Sequence, residues 1–143
     1  MARIINTAGW ELIRKWEGCI LHPYKDLGGI WTIGFGHTKG VTAESTPLTQ
    51  DQADALLLSD LEPFEQAVDE DVLVVLTDNQ FSALVSLCYN VGTKPLHGTL
   101  GDYLNDSQYE KAADAFLAWD HVAGIVSAGL LNRRKEEREL FLT

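Results

Sequence analysis

Only the stretch from Tyr24 to His37 departs from helical patterning, and this confines the chain to an α+β architecture with one small β element among helices. Asp26-Leu27-Gly28-Gly29 supplies turn residues able to take positive φ. Beyond the turn, Ile30, Thr32 and Gly34 alternate with Trp31, Ile33 and Phe35, so Thr32 and Gly34 share the less bulky face of a strand.

The flanking segments repeat at helical spacing. Residues 8–17 suit a short helix with Thr7 as N-cap and Gly18 as its stop. On this helix Leu12, Trp16, Ile13, Glu17 and Trp10 fall on one arc, which sets Glu17 among apolar neighbours. Thr49 with Gln52 reads as a capping box ahead of the stripe Ala53, Leu56, Leu57, Leu61, Phe64 and Val68, and Pro63 predicts a kink or break near Glu62. Thr77 with Gln80 repeats the box before Phe81, Leu84, Val85, Cys88 and Val91, with Gly92 as C-cap, and this apolar segment is expected to be the central core helix. Further helices are expected over 99–104, 108–119 (capped by Ser107 with Glu110) and 130–141. The expected organisation is a single domain over 1–143. It comprises a small N-terminal hairpin lobe over 1–48, a connecting helix over 50–69 and a larger helical lobe over 70–143, with a groove between the lobes.

A chain of 143 residues can bury a core without a metal or a disulfide. Cys19 and Cys88 fit no metal or redox spacing and are read as separate reduced thiols. The net charge of −10 argues against a nucleic-acid partner, which would require a broad basic face. Four basic residues, Arg133, Arg134, Lys135 and Arg138, alternate with Glu136, Glu137 and Glu139, the pattern of a solvated, ion-paired helix face. No stretch approaches the roughly 20 apolar residues that span a bilayer, and the start shows no secretory signal. Synthesis in the cytoplasm is therefore expected, with outside help in reaching any target beyond it, and no stable membrane insertion.

The chemistry-bearing residues gather early. Cleaving a glycosidic bond takes one carboxyl that gives a proton to the leaving oxygen and another carboxylate that supports attack from the opposite face of the sugar. Glu17, apolar-flanked at a helix C-terminus, has surroundings that suit a proton donor. Asp26, in a glycine-flanked turn with backbone N–H groups and solvent at hand, has those of a base. Thr32 is β-branched on a stiff strand and can aim its hydroxyl at an attacking water, while Gly34 leaves room for a sugar. Taken singly, each has an ordinary structural role in a helix end, a turn or a strand.

Together they carry a resemblance. Glu17-Gly18-Cys19, Tyr24-Lys25-Asp26 and Thr32-Ile33-Gly34-Phe35-Gly36-His37 resemble the signature of the bacteriophage lysozyme (endolysin) family, including the spacing of nine residues from acid to Asp and six from Asp to Thr. The resemblance continues through Gln80-Phe81-Ser82-Ala83-Leu84, Tyr89-Asn90-Val91-Gly92, Gly98-Thr99-Leu100, Ala112-Ala113 to Trp119, and Gly129-Leu130-Leu131-Asn132-Arg133-Arg134 with Glu137. It implies a lysozyme-like α+β fold and a muramidase that hydrolyses the β-1,4 bond between N-acetylmuramic acid and N-acetylglucosamine with inversion. Glu17 would be the acid, Asp26 would assist the water and Thr32 would position it. Gly34, Gly36 and Arg133 would contact substrate, with Arg133 packing toward the acid from the C-terminal lobe. His37 is read as structural, because the resemblance aligns Asp60 with an acid that pairs with this histidine.

Such an enzyme is expected to act as a monomer on peptidoglycan glycan strands, with no cofactor or metal, after release from the host cytoplasm through a holin-like pore. Two other readings keep the same site. One is a non-catalytic peptidoglycan-binding module of this fold. The other is a lytic transglycosylase, which uses one acid and no water, and which the presence of Asp26 and Thr32 disfavours. A metal site built on His22, His37, His97 and His121 lacks the required spacing. The four tryptophans could stack on sugars, with at least two expected in the core.

Overall fold

In the computed structural model, which describes residues 2–143, six α-helices and two two-stranded antiparallel sheets follow one another along the chain. In order these are α1 (Thr7–Glu17), β1 (Ile20–Lys25), β2 (Trp31–Gly34), α2 (Gln50–Asp71), α3 (Asp78–Val91), α4 (Thr99–Asn105), α5 (Tyr109–Ala115), β3 (His121–Val122), β4 (Ile125–Val126) and α6 (Ala128–Leu142). The chain divides into two compact units: Ile13–Glu62, and a second made of the segment up to Leu12 together with Pro63–Thr143. Both α1 and α2 run through a unit boundary. Among the described residues, no helix is long and apolar enough to cross a membrane.

In the Ile13–Glu62 unit, Ile13, Ile33, Phe35, Ala53, Leu57 and Leu61 are buried together with Thr32. The expected capping box opens α2: Thr49 Oγ1 accepts from the Gln52 amide at 3.1 Å, and Gln52 Oε1 accepts from the Thr49 amide at 2.9 Å. Pro63 does not break α2, which continues to Asp71. A proline in a helix interior forfeits one backbone hydrogen bond, and the apolar stripe on either side, Leu57 and Leu61 before it and Val68 after it, is buried deeply enough to hold the helix together.

In the second unit α3 is the central helix. Every side chain from Phe81 to Cys88 is buried, and the helix is closed by the Thr77/Gln80 box at one end and by Gly92, at φ +87°, at the other. Close packing around it forbids side chains at two glycines: a Cβ on Gly9 would lie 2.5 Å from the Ser82 Cβ, and one on Gly101 would lie 1.9 Å from the Leu96 carbonyl oxygen.

Several expectations in this unit need correction. Asn6, not Thr7, caps α1: its Oδ1 accepts from the Gly9 amide at 3.0 Å, and Thr7 is already helical. Ser107 does not cap a helix over 108–119. It sits in the left-handed region at φ +60°, where its amide donates to the Leu104 carbonyl and the Gln108 amide to the Tyr103 carbonyl, so it terminates α4 in a Schellman turn. The following helix is correspondingly short, ending at Ala115 and passing into one 3₁₀ turn over Phe116–Ala118. The β3–β4 hairpin was not anticipated, because each strand is two residues long; Ala123 and Gly124, both at positive φ, make its turn.

Candidate functional site

The candidate acid, base and threonine all lie in the Ile13–Glu62 unit. Glu17 is the last residue of α1, half-buried, and Gly18 at φ +64° turns the chain out of the helix toward β1. Asp26 follows β1 directly and closes the turn with its own side chain. Its Oδ1 accepts from the amides of Gly28 and Ile30, each at 2.9 Å, while its backbone amide donates to the Ile30 carbonyl at 2.9 Å and its carbonyl accepts from the Gly29 amide at 2.9 Å. Asp26 is exposed, and both of these side-chain bonds use Oδ1, which leaves Oδ2 as an acceptor for solvent.

Strand register sets Thr32 beside this carboxylate. Tyr24 pairs with Thr32 and Lys25 with Trp31, and the Asp26–Ile30 amide bonds extend the ladder by one step. Tyr24, Asp26 and Thr32 therefore share one face, with Asp26 as the diagonal neighbour of Thr32. The Thr32 hydroxyl donates to the Ile30 carbonyl at 2.8 Å, so its oxygen keeps a lone pair for a water proton. Thr32 as a whole is 3% exposed.

Glu17 is tied to the same cluster by charge. The Tyr24 phenol ionises above its ordinary 10.0, first because burial disfavours its anion and then because Asp26, Glu17 and Cys19 act against that anion. Two carboxylates therefore act on one phenol, one from a helix end and one from a solvent-facing turn.

Gly34 and Gly36 have a different structural basis from the sequence expectation. The strand alternation ends at Gly34, whose φ of +68° starts a tight turn closed by mutual amide–carbonyl bonds between Ile33 and His37 at 2.8 and 2.9 Å. Gly34 is buried, and a Cβ there would point at Leu48 and Ala53, at 3.5 and 3.7 Å, so glycine at this position answers a backbone requirement rather than making room for a sugar on that side. Gly36, at φ +82°, is exposed in the same turn. His37 closes it: Nδ1 lies 2.7 Å from Asp60 Oδ2, and Nε2 donates to the Lys39 carbonyl at 2.8 Å. The His37–Asp60 pair is present as expected, and it joins the hairpin segment to α2.

Arg133 lies in the other unit and is 3% exposed. Its guanidinium donates to Glu137 Oε2 at 3.1 Å, to the Ser86 carbonyl at 3.1 Å and to Ser86 Oγ at 3.3 Å. The expectation that its charged neighbours form a solvated face holds for exposed Lys135 and Glu139 and fails for Arg134 and Glu137, both fully buried. Arg134 reaches Glu137 Oε1 at 2.7 Å, Asn90 Oδ1 at 2.9 Å and the Trp119 carbonyl at 3.3 Å, and Ser86 Oγ donates to Glu137 Oε2 at 2.5 Å. Burial pushes the Glu137 carboxyl up, with Arg134, Arg133 and Ser86 pulling against it. The sequence signal was available in the i, i+3 and i, i+4 spacing of Arg134 and Arg133 to Glu137, together with a serine inside the most apolar helix. None of the four tryptophans is a core residue: all are half-buried, and Lys25 and Lys15 sit over the rings of Trp31 and Trp16.

The phage lysozyme family model matches residues 14–137. The endolysin of Salmonella phage P22 is 40% identical over 144 residues, covering 97% of this chain and 98% of that protein. The endolysin of Bacillus phage B103 is 40% identical over 142 residues, covering 97% of this chain; the chain spans about half that protein's length, 54%. Among solved structures, the muramidase domain of SpmX from Asticaccaulis excentricus superposes with a TM-score of 0.90 at 38% identity, covering 99% of each chain. With the family signature matched over most of its length and a lysozyme fold reproduced throughout, the chain belongs to the phage lysozyme family.

Proposed function

We propose that the chain is an endolysin that hydrolyses the β-1,4 bond between N-acetylmuramic acid and N-acetylglucosamine in bacterial peptidoglycan, leading to lysis of the host. The observation that carries this reading is the division of labour within Asp26: Oδ1 is committed to the turn while Oδ2 is left as an acceptor, in a residue one diagonal step from Thr32 on the same face of the hairpin. In this reading Glu17 gives its proton to the leaving glycosidic oxygen. Asp26 Oδ2 takes one proton from the attacking water while Thr32 Oγ1, its own proton engaged by Ile30, accepts a hydrogen bond from the water's remaining O–H. Because water rather than a carboxylate attacks the anomeric carbon, the configuration inverts. Gly36, exposed in the turn after β2, would meet the glycan through its backbone; buried Gly34 shapes that turn, and the buried Arg133 guanidinium is engaged with Glu137 and Ser86 within its own unit. The enzyme would act as a monomer, made in the host cytoplasm and released to the wall through a separate holin-like pore.

The test is product analysis on purified peptidoglycan with the wild type and Glu17→Gln. Hydrolysis yields reducing ends whose first-formed anomer is inverted, and Glu17→Gln is expected to remain folded with most turnover lost. Anhydro-sugar ends would identify a transglycosylase. Binding without any cleavage would identify a glycan-binding module, and normal turnover by folded Glu17→Gln would remove Glu17 from the chemistry.

A further inference from the structure

One backbone oxygen of the hairpin serves both sides of the proposed water site. The Ile30 carbonyl accepts from the Asp26 amide at 2.9 Å and from the Thr32 hydroxyl at 2.8 Å. The amide of the same residue donates to Asp26 Oδ1 at 2.9 Å. The backbone of residue 30 thus joins the proposed base to the hydroxyl proposed to hold the water, while its side chain, 53% exposed and apolar, makes none of these bonds.

A threonine hydroxyl can meet a water in two ways. As an acceptor it takes a hydrogen from the water and leaves the water's lone pairs free. As a donor it occupies a lone pair that attack on the anomeric carbon requires. With its single proton held by the Ile30 carbonyl, Thr32 Oγ1 is confined to the first role. The two roles also diverge along the reaction. As the water oxygen bonds to carbon, its remaining O–H becomes more acidic, so an accepting Oγ1 binds it more strongly in the transition state than in the ground state, whereas a donating hydroxyl would lose its partner lone pair.

We propose that Ile30 is a positioning residue for glycosidic cleavage, its carbonyl holding the Thr32 hydroxyl as an acceptor so that the attacking water keeps a lone pair for the anomeric carbon. This inference rests on the function proposed above.

The experiment weakens that carbonyl without altering a side chain. Replacing Trp31 by its α-hydroxy analogue turns the Ile30–Trp31 amide into an ester, whose carbonyl oxygen is the poorer acceptor. Wild type, the ester, Thr32→Val, Thr32→Ser, the ester combined with Thr32→Val, and Glu17→Gln are compared on soluble glycan oligomers, with kcat and KM measured separately and unfolding followed in parallel. Weakening one neutral hydrogen bond is expected to lower kcat roughly 3- to 10-fold in the ester, with KM changed by less than about twofold. In the Thr32→Val background the ester should change kcat by less than about 1.5-fold, because the hydroxyl through which the carbonyl acts is gone; a merely structural role would slow both backgrounds alike. Thr32→Ser keeps the hydroxyl but lacks the branch that stiffens its rotamer, and with the carbonyl as the orienting group it should stay within about threefold of wild type while Thr32→Val falls much further. This comparison stands even if the ester folds poorly. An ester with wild-type kcat, an ester effect of equal size with and without the Thr32 hydroxyl, or folded Thr32→Ser as slow as Thr32→Val overturns the inference. If Glu17→Gln is inactive in the same series, only the role of Ile30 falls; if Glu17→Gln turns over normally, the reading of the site falls and this inference with it.

Discussion

Replacing Glu137 with glutamine removes one negative charge from a site holding two positive ones, and the structure sets the scale of the loss. Glu137 and Arg134 are fully buried and the Arg133 side chain is 4% exposed, so water cannot replace the missing partner. The carboxylate takes contacts from Arg134 Nε at 2.7 Å, Arg133 Nε at 3.1 Å and Ser86 Oγ at 2.5 Å. An amide retains at most the acceptor half of these and turns its NH₂ toward guanidinium donors. Breaking a buried pair by removing one partner typically costs about 3–5 kcal/mol. With an unfolding entropy of about 2 cal/mol/K per residue, that corresponds to a fall in melting temperature of roughly 10–17 °C for a chain of this length. The assay is urea and thermal unfolding of wild type, Glu137→Gln, Arg134→Met and the double variant. Charge imbalance, rather than lost packing, predicts that the double variant recovers at least about 1 kcal/mol relative to the sum of the single changes. A Glu137→Gln protein within about 1 kcal/mol of wild type, or strictly additive single changes, would refute the view that this cluster is held by charge balance.

Three further outcomes are expected. Asp26→Asn preserves an oxygen for the Gly28 and Ile30 amides and should fold as wild type with most glycan cleavage lost, whereas Asp26→Ala should lose about 1–2 kcal/mol of stability as well; equal stability of the two variants, read from urea unfolding, would show that Oδ1 does not hold the turn. His37→Asn gives up contacts to Asp60 and the Lys39 carbonyl and should cost about 1–3 kcal/mol while leaving turnover per folded molecule intact; a stable but inactive variant would move His37 into the chemistry. Burial pushes the Cys88 thiol from 9.0 to about 12, so the unfolded chain releases that proton first and stability falls as pH rises from about 9 toward 12, by at most about 1.4 kcal/mol per pH unit from this group; denaturant unfolding across that range should show a shallower decline in Cys88→Ala.

The elements that were legible from the chain alone are those whose signals are local and redundant. The α2 and α3 starts each carry a threonine and a glutamine three residues apart, and both boxes form with both hydrogen bonds made. What misled was any feature whose sign is set by neighbours far along the chain. Pro63 reads as a kink or break because its local effect is unfavourable, and the break does not occur: buried Leu57, Leu61 and Val68 on either side outweigh one missing hydrogen bond. Ser107 has the composition of an N-cap, but the carbonyls left open at the end of α4 claim its amide and that of Gln108, and the chain pays with a serine at positive φ. In α6, alternating charges look like a solvated face, and only the approach of Ser86 and Asn90 from α3 turns part of that face inward.

The candidate site follows the same division. The hairpin that carries Asp26 and Thr32 was readable because a glycine turn and strand alternation are local signals, set by strand period rather than by distant packing. The role of Oδ1 was not readable in that way: the expectation was of backbone amides near the carboxylate, and the structure resolves this into one oxygen bound twice and the other left open. That asymmetry has a mechanical consequence. A carboxylate rotating freely about its terminal bond would offer either oxygen to water in many directions, and each unproductive direction would lower the fraction of time spent ready to accept a proton. Two amides at 2.9 Å on Oδ1 fix the carboxylate plane, so Oδ2 keeps one orientation relative to the strand that carries Thr32. The same two bonds hold the turn closed. The residue proposed as the base is thus also the fastener of the loop that aims it, which is why shape at position 26 and charge at position 26 must be tested by separate substitutions.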